Sequence, residues 1–236
     1  MFIKSLACVC FCLVLMSSSC KKHKEICEWS AFTFEHPVSV YPVKESYSLG
    51  DTIWFEMNFS DVFNTQVRNN IYGDLMSEAV QLKNFDFHRN FLRIINLTDS
   101  SRNINGQQTG TWDSNFDAIY KVGALLQELP DGPEYRLIYS DDYYHLKFGM
   151  VIKNKGNYIY YPIFKNYYPN AQNSLNAVEI RPECDVEKIE DIRFPVNRQS
   201  DGTLKSNYHL FEKYMNPALE NDIERIKKEC FTFVVK

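Results

Sequence analysis

SLGDTIWFEMNFSD, residues Ser48 to Asp61, is the stretch that decides the fold. Gly50-Asp51 is a turn signal, and the residues that follow it alternate between apolar and mixed positions. One face of the predicted strand carries Ile53, Phe55, Met57 and Phe59, and the other carries Trp54, Glu56 and Asn58. An apolar face opposite a mixed face is typical of a strand that buries one side. The stretch therefore predicts a half-buried β-strand.

The same kind of pattern recurs along the chain and predicts a sheet-rich protein. Turn signals separate most of the candidate strands, and many strands at short spacing favour a sandwich or a barrel. Lys155-Gly156-Asn157 is expected to join Met150–Ile152 and Tyr158–Tyr160 as a hairpin. A strand is expected at Thr33–Tyr41, and Pro37 and Pro42 favour an edge position for it, because proline cannot donate a hydrogen bond to a neighbouring strand. Further strands are expected at Ala79–Lys83, Phe91–Leu97, Phe116–Leu126, Tyr135–Ser140, Tyr144–Lys153, Tyr158–Phe164, Val178–Ile180 and Ile189–Phe194.

The C-terminal region changes from a strand period to a helical one. Asn216-Pro217 predicts a helix start, and an apolar face follows at Leu219, Ile223, Ile226 and Cys230. A shorter helix is expected over Asn207–Met215, and Phe231–Val235 is expected to be a final strand. The predicted fold class is mainly β: an antiparallel β-sandwich with a C-terminal α-helix and a final strand.

Composition narrows the function classes. The chain has 236 residues, of which 44% are hydrophobic, and a formal net charge of −4. It can bury a real core, and it lacks the basic balance of a nucleic-acid binder, so no nucleic-acid partner is expected. The expected organisation is a signal peptide over 1–19, a lipidated cysteine and tether over 20–31, a β-sandwich domain over 32–182, and a helix-plus-strand extension packed on it over 183–236.

The N-terminal stretch Met1–Cys20 is typical of an export signal. Lys4 precedes an apolar run from Leu6 to Met16, which is too short to cross a bilayer, and three serines follow it. Two cleavage sites fit. Ordinary signal peptidase would use the small residues Ser17 and Ser19, whereas a lipobox would use Ser18 and Ser19 followed by Cys20, whose thiol would take a diacylglycerol. The lipobox is favoured because Cys20 directly follows the serines and opens the hydrophilic stretch KKHKE.

These residues carry a resemblance to a known group. The loose lipobox followed by Lys21, Lys22 and Glu25 resembles lipoproteins of the Bacteroidota. The Gly-Asp turn before the Ile53–Phe59 strand is similar to a feature of their immunoglobulin-like modules. The resemblance implies an immunoglobulin-like domain lipid-anchored in the bacterial outer membrane, and it leaves open whether that domain faces the periplasm or the cell surface.

Three cysteines remain beyond the signal and Cys20: Cys27, Cys184 and Cys230. An exported protein meets an oxidising compartment, so one disulfide is plausible. Cys184 with Cys230 is favoured, because both flank the C-terminal region whereas Cys27 lies in the expected tether. The alternative is three unpaired thiols. No two of the three have C-x-x-C spacing, so no metal site is expected.

Catalytic motifs are absent from the sequence, and neither a cofactor nor a catalytic residue is predicted. Aromatic side chains are abundant and either fill the core or, where exposed in loops, stack on sugar rings. Trp112, Tyr167 and Tyr168 lie in expected loops and are the candidate ligand contacts. The sequence thus favours an envelope protein with a binding or structural role in glycan capture, adhesion or assembly, whose partner is a glycan or another envelope protein. The alternative is an envelope hydrolase that has no local motif.

Overall fold

The computed structural model describes residues 29–69, 71–85, 87, 90–97, 115–129, 132–164, 180, 188–214 and 223–236. Two helices of seven residues lie in this part of the chain, α1 (Tyr208–Tyr214) and α2 (Ile223–Glu229). The strands are β1 Trp29–Glu35, β2 Ser39–Tyr41, β3 Ser46–Tyr47, β4 Thr52–Ser60, β5 Val62–Asn69, β6 Leu75–Gln81, β7 Asn90–Asn96, β8 Phe116–Val122, β9 Ala124–Leu129, β10 Gly132–Arg136, β11 Ile138–Ser140, β12 Tyr143–Ile152, β13 Gly156–Phe164, β14 Lys188–Arg193 and β15 Phe231–Val235.

Contacts divide these residues into two compact units. Unit 1 comprises the described parts of 1–34, 64–80 and 168–191, and unit 2 comprises those of 35–63, 81–167 and 192–236. Most of a four-stranded sheet, ordered β14-β1-β5-β6, belongs to unit 1. Its buried residues include Phe32, Phe34 and Val67. Thr65 is buried there as well, and its hydroxyl donates to the Thr33 carbonyl oxygen across the β1–β5 pair.

Unit 2 is a sandwich of two sheets. The six-stranded sheet has the order β3-β15-β13-β7-β10-β9, and the five-stranded sheet has the order β11-β12-β4-β2 with β8 also paired to β12. The pairings in these two sheets are antiparallel except that of β15 with β3. The chain passes from β8 in one sheet to β9 in the other at Gly123, whose φ is +98°. A Cβ at Gly123 would lie 2.5 Å from Leu146 Cδ1, so this corner requires glycine.

The apolar face predicted for the Ser48–Asp61 stretch forms the centre of this sandwich. Phe55 on β4 pairs with Phe148 on β12, and its ring centroid lies 4.3 Å from that of Tyr160 on the opposite sheet. Phe116 and Tyr158 make a second contact across the sandwich, with centroids 5.0 Å apart. The alternation of side chains along a strand therefore places one apolar face of each sheet in the core.

The two helices pack on the outer side of β7 and β13 in the six-stranded sheet. Ile95 and Ile159 point away from the sandwich core and cluster with Phe211 of α1 and Ile226 of α2. Buried Cys230 belongs to the same cluster and is a free thiol, whose pKa burial raises to about 12. Neither described helix is long and apolar enough to span a bilayer.

The mainly β fold, with a sandwich followed by a C-terminal helix and a final strand, is confirmed. Ile53, Phe55, Met57 and Phe59 are buried as predicted, and the short helix near Asn207–Met215 and the strand Phe231–Val235 are present. The predicted start at Asn216-Pro217 lies outside the described residues. The hairpin prediction is wrong: β12 pairs with β4, β8 and β11, whereas β13 pairs with β7 and β15 in the other sheet. The predicted domain boundaries stay predictions.

Candidate functional site

Most of the site residues predicted from the sequence lie outside the described residues. Cys20, Trp112, Tyr167 and Tyr168 are among them, and so is Cys184. The Cys184–Cys230 disulfide therefore stays a prediction, because the structure describes only Cys230. Within the described ranges, no group of three His, Cys, Asp or Glu side chains is placed to hold a metal ion.

The outer face of the five-stranded sheet differs from that of the six-stranded sheet. Helices pack on the latter, whereas large apolar side chains on β8, β11 and β12 are exposed on the former, at Ile119 (36%), Val122 (39%), Ile138 (41%) and Tyr143 (45%). Exposed apolar side chains gathered on one face of a sheet can mark a binding site. We call this exposed side of β2, β4, β12, β8 and β11 the open face.

One row of the open face runs across four strands at a single level. Tyr41 pairs with Trp54, Trp54 with Gly149, and Gly149 with Ile119. Neighbouring strands lie about 4.8 Å apart, so the row is about 14 Å long. Three apolar side chains and one glycine thus form a nearly continuous strip, which we call the aromatic row.

The indole of Trp54 lies close to the backbone of its neighbour Gly149, which has no side chain. A Cβ built on Gly149 would lie 3.1 Å from both Cε3 and Cζ3 of Trp54 and 2.8 Å from Cγ2 of Thr52. The indole therefore covers the backbone of Gly149. Trp54 is half-buried, so part of its ring system remains accessible to solvent. Covering a glycine in a sheet is also a structural role for an aromatic side chain.

The next row along the strands carries charge. Glu56 faces Lys147, with 3.2 Å between Glu56 Oε2 and Lys147 Nζ, and the Tyr41 hydroxyl donates to the same carboxylate oxygen at 2.6 Å. Lys147 Nζ also lies 5.4 Å from the centre of the Tyr41 ring, within the range of a cation–π contact. These contacts fix the Tyr41 ring beside Trp54.

The same contacts set the protonation states of the three side chains. The hydrogen bond from Tyr41 is the largest influence that lowers the pKa of Glu56. Hydrogen bonds to Tyr41 and Glu56 raise the pKa of Lys147. The pKa of Tyr41 is raised chiefly by loss of solvent and then by its hydrogen bond to Glu56. At neutral pH Glu56 is thus a carboxylate, Lys147 an ammonium and Tyr41 a neutral phenol. Oε1 of Glu56 has no hydrogen-bond partner among the described residues and can accept from a ligand.

A separate cavity of about 230 Å³ lies where the chain passes from β10 to β11. We call it the ring cavity because four aromatic residues contribute to its wall. Its lining consists of Asn84, Phe85, Phe87, Arg136, Leu137, Tyr139 and Tyr144. No carboxylate is among these lining residues.

Sequence reasoning missed the open face, although one signal for it was visible. The signal is Trp54, a tryptophan at an outward position of a half-buried strand, where polar residues are more usual. Its neighbours Tyr41, Lys147 and Gly149 come from two other strands, and only the strand register brings them together.

No protein-family model and no curated protein matches the chain. Among solved structures, it is similar to a type II cohesin domain from the cellulosome of Acetivibrio cellulolyticus, at 11% identity and a TM-score of 0.24, over 59% of this chain and 81% of that one. It is also similar to the type II cohesin dyad from the adaptor ScaA scaffoldin of the same organism, at 9% identity and a TM-score of 0.26, over 69% of this chain and 46% of that one. Neither TM-score reaches 0.5.

Proposed function

We propose that this protein is a lipid-anchored bacterial envelope protein that binds neutral glycans on the open face. The observation that carries the glycan part is the half-buried indole of Trp54, which lies against Gly149 beside Tyr41 and the Glu56–Lys147 pair. A sugar ring offers an apolar face and a rim of hydroxyl groups. The open face offers aromatic side chains next to a hydrogen-bond acceptor and a donor, which suit both parts of a sugar.

Charge favours a neutral glycan over an acidic one. Glu56 and Lys147 compensate each other, so the face has no uncompensated cation from this pair to attract an anionic polymer. The formal net charge of the chain is −4, which disfavours anionic partners at long range. Another envelope protein remains the rival partner for the same face.

The position of carboxylates supports binding over hydrolysis. A glycoside hydrolase of the usual kind needs two carboxyl groups that face one substrate. Glu56 on the open face is engaged by Tyr41 and Lys147, and the lining of the ring cavity includes no carboxylate. The hydrolase alternative would need acids outside these two places.

The anchor part of the proposal rests on the sequence. Cys20 follows three serines, and the hydrophilic tether that begins there would connect an acylated cysteine to the domain. Acyl chains on Cys20 would hold the domain at the outer membrane, facing either the periplasm or the cell surface.

Affinity electrophoresis of the soluble domain in gels that contain neutral or anionic polysaccharides tests the glycan proposal. We expect at least one neutral polysaccharide to retard the wild-type domain. Stacking on an aromatic ring contributes on the order of 1 kcal/mol, so Trp54→Ala should weaken the retardation about fivefold. Tyr72→Ala is the matched control, because Tyr72 is 74% exposed in the β5–β6 turn of the other unit, and it should leave the retardation unchanged.

Two results would contradict the proposal. One is that no neutral polysaccharide retards the wild-type domain. The other is that Trp54→Ala, shown by circular dichroism to be folded, is retarded as strongly as the wild type. If the domain instead captures a single envelope protein and Trp54→Ala abolishes that capture, the face binds a protein and the glycan assignment is wrong.

A further inference from the structure

The turn between β5 and β6 presents three large apolar side chains to solvent. Ile71 is 61% exposed, Tyr72 is 74% exposed and Leu75 is 59% exposed. We call these three side chains the apolar tip. Turns are usually built from glycine and small polar residues. Apolar side chains grouped at a turn therefore indicate a contact with something outside the domain.

Hydrogen bonds within the turn hold the backbone that carries the apolar tip. Asn69 is 4% exposed, and its side-chain Oδ1 accepts from the backbone N–H groups of Ile71 at 2.8 Å and of Tyr72 at 3.0 Å. The Asn69 N–H donates to the Asp74 carbonyl oxygen at 2.8 Å, and the Gly73 N–H donates to the Asn69 carbonyl oxygen at 2.9 Å. A backbone donor without a partner is costly in an apolar medium. Because these donors are satisfied inside the turn, the tip can leave water at little cost.

The apolar tip lies at the end of the sheet where the described chain begins. Trp29, the first residue of β1, pairs with Asn69, the last residue of β5, in an antiparallel ladder. The chain continues from Asn69 directly into the turn. These residues all belong to unit 1. The tether that arrives at Trp29 and the apolar tip therefore share one end of the same sheet.

The length of the tether places this end of the sheet close to the predicted anchor. Cys20 stands nine positions before Trp29. Nine fully extended residues span at most about 30 Å, so acyl chains on Cys20 would keep the start of β1 within about that distance of a membrane. A short tether also raises the effective concentration of lipid at the tip, so that weak insertion suffices. This step rests on the anchor part of the proposed function.

Charge and side-chain chemistry favour a lipid surface without net charge. Arg68 and Asp74 are exposed on either side of the turn and carry opposite charges. The formal net charge of −4 disfavours attraction to anionic lipids. Isoleucine and leucine are compatible with acyl chains, and tyrosine, with an apolar ring and a polar hydroxyl, is typical of the boundary between acyl chains and headgroups.

We propose that the apolar tip inserts into the lipid–water interface of the membrane that holds the tether, and that it does so through zwitterionic lipids. Insertion is shallow, because the exposed positions farther along the two strands are polar, as at Gln66 on β5 and Ser77 on β6. The tether and the tip then give unit 1 two points of attachment to one bilayer.

Fluorescence quenching by brominated lipid tests this proposal without relying on acylation. A hexahistidine tag replaces residues 1–20, so the chain keeps every described residue and is held on phosphatidylcholine vesicles by a nickel-chelating lipid. In a background with Trp29→Phe, Trp54→Phe and Trp112→Phe, Tyr72→Trp supplies the only tryptophan. We expect bromine on the acyl chains to reduce its emission about twofold relative to vesicles without bromine, because interfacial insertion reaches about 5–10 Å into the bilayer.

Val62→Trp in the same background is the control for the position of the probe. Val62 is 50% exposed and begins β5, about 23 Å along the strand from Asn69, so its emission should be unchanged by bromine. Ile71→Asp in the Tyr72→Trp chain should abolish the quenching, because a carboxylate is costly in the apolar part of a bilayer. Val62→Asp adds the same charge away from the tip and should leave the quenching intact.

Two results would overturn the proposal. One is a folded Tyr72→Trp chain that brominated lipid quenches no more than the Val62→Trp chain. The other is quenching that survives Ile71→Asp, with circular dichroism showing that the variants are folded. Since the tag replaces Cys20, either result refutes insertion of the tip alone, whereas a full chain that takes up no labelled palmitate refutes the anchor alone.

Discussion

At the scale of single residues, His36 is a buried histidine that is surrounded by aromatic rings. Its ring stacks on Phe59 at 4.7 Å and meets the edge of Phe87 at 4.5 Å, with Phe194 also in contact. Neither ring nitrogen has a hydrogen-bond partner among the described residues, and the side chain is fully buried. Burial without a partner penalises the imidazolium, which lowers the pKa of His36 to about 3.

This environment predicts a specific loss of stability in acid. An unfolded histidine titrates near pH 6.5, so below that pH the unfolded state binds a proton that folded His36 rejects until about pH 3. The contribution of His36 is therefore fully present above pH 6.5, and it falls by up to about 1.4 kcal/mol per pH unit as the pH decreases from 6.5 to 3. Urea unfolding between pH 7 and pH 4.5 measures this slope.

The substitution His36→Phe should reduce the slope by about one proton, because phenylalanine keeps the aromatic packing and does not titrate. Leu49→Phe is the control, since Leu49 is exposed and neither leucine nor phenylalanine titrates, and it should leave the slope unchanged. Equal slopes for wild type and a folded His36→Phe variant would show that His36 is protonated in the native state.

At the scale of elements, strands with a purely apolar inner face could be predicted from the sequence, and strands with a mixed inner face could not. The inner positions of β4 are Ile53, Phe55, Met57 and Phe59, so its period is clear. Strand β5 also alternates perfectly, but its buried positions include Thr65 and Asn69. The Thr65 hydroxyl donates to the Thr33 carbonyl oxygen on β1, and the Asn69 side chain accepts from the backbone of the β5–β6 turn. Hydrophobic periodicity does not predict either hydrogen bond.

Strand pairing was less predictable than strand position. A short turn between Ile152 and Tyr158 favoured a hairpin, yet β12 is paired on both sides in the five-stranded sheet and β13 on both sides in the six-stranded sheet. The same limitation applies to the open face. Trp54 and Glu56 were recognisable as outward residues, whereas their contacts with Tyr41, Gly149 and Lys147 depend on the register of three strands. Alternation determines which face a residue occupies, but not which strand lies next to it.

The contact between β4 and β12 predicts the effect of Gly149→Ala. The added Cβ would lie 2.8 Å from Thr52 Cγ2 and 3.1 Å from the indole, so Trp54 must move away from the strand. We expect fluorescence emission of Trp54 at longer wavelength and weaker binding of any glycan that Trp54→Ala also weakens. A background with Trp29→Phe and Trp112→Phe isolates the signal of Trp54.

Asn58→Ala, at an exposed outward position of the same strand, is the control for Gly149→Ala and should leave the emission unchanged. The overpacking expected for Gly149→Ala typically destabilises by about 1–3 kcal/mol, so this variant should remain folded at room temperature. Asn58→Ala removes an exposed side chain and should remain folded as well. An unchanged emission maximum for Gly149→Ala would mean that the indole does not rest on this glycine.

At the scale of the molecule, the two sheets of unit 2 have different surroundings. In the six-stranded sheet Ile95 and Ile159 lie under α1 and α2, while outer apolar residues of the five-stranded sheet such as Ile119 and Ile138 are exposed. An anchored binding protein needs such an uncovered face, because its ligand must reach the domain while the tether holds the chain at a membrane. The proposed use of the open face at a membrane therefore depends on the predicted acylation of Cys20.

Acylation of Cys20 is the prediction that connects the N-terminal sequence to this use of the fold. Each buried CH₂ contributes about 0.8 kcal/mol to membrane affinity, so the two or three acyl chains of a lipoprotein anchor it stably. We expect the full chain, expressed in a bacterium supplied with labelled palmitate, to be labelled and to sediment with the membranes. Cys20→Ala should be unlabelled, whereas Cys27→Ala, a cysteine seven positions later, should be labelled like the wild type. A wild-type chain without label would mean that the serines before Cys20 serve ordinary signal peptidase, so that the domain would meet its ligand free in the periplasm rather than at a membrane.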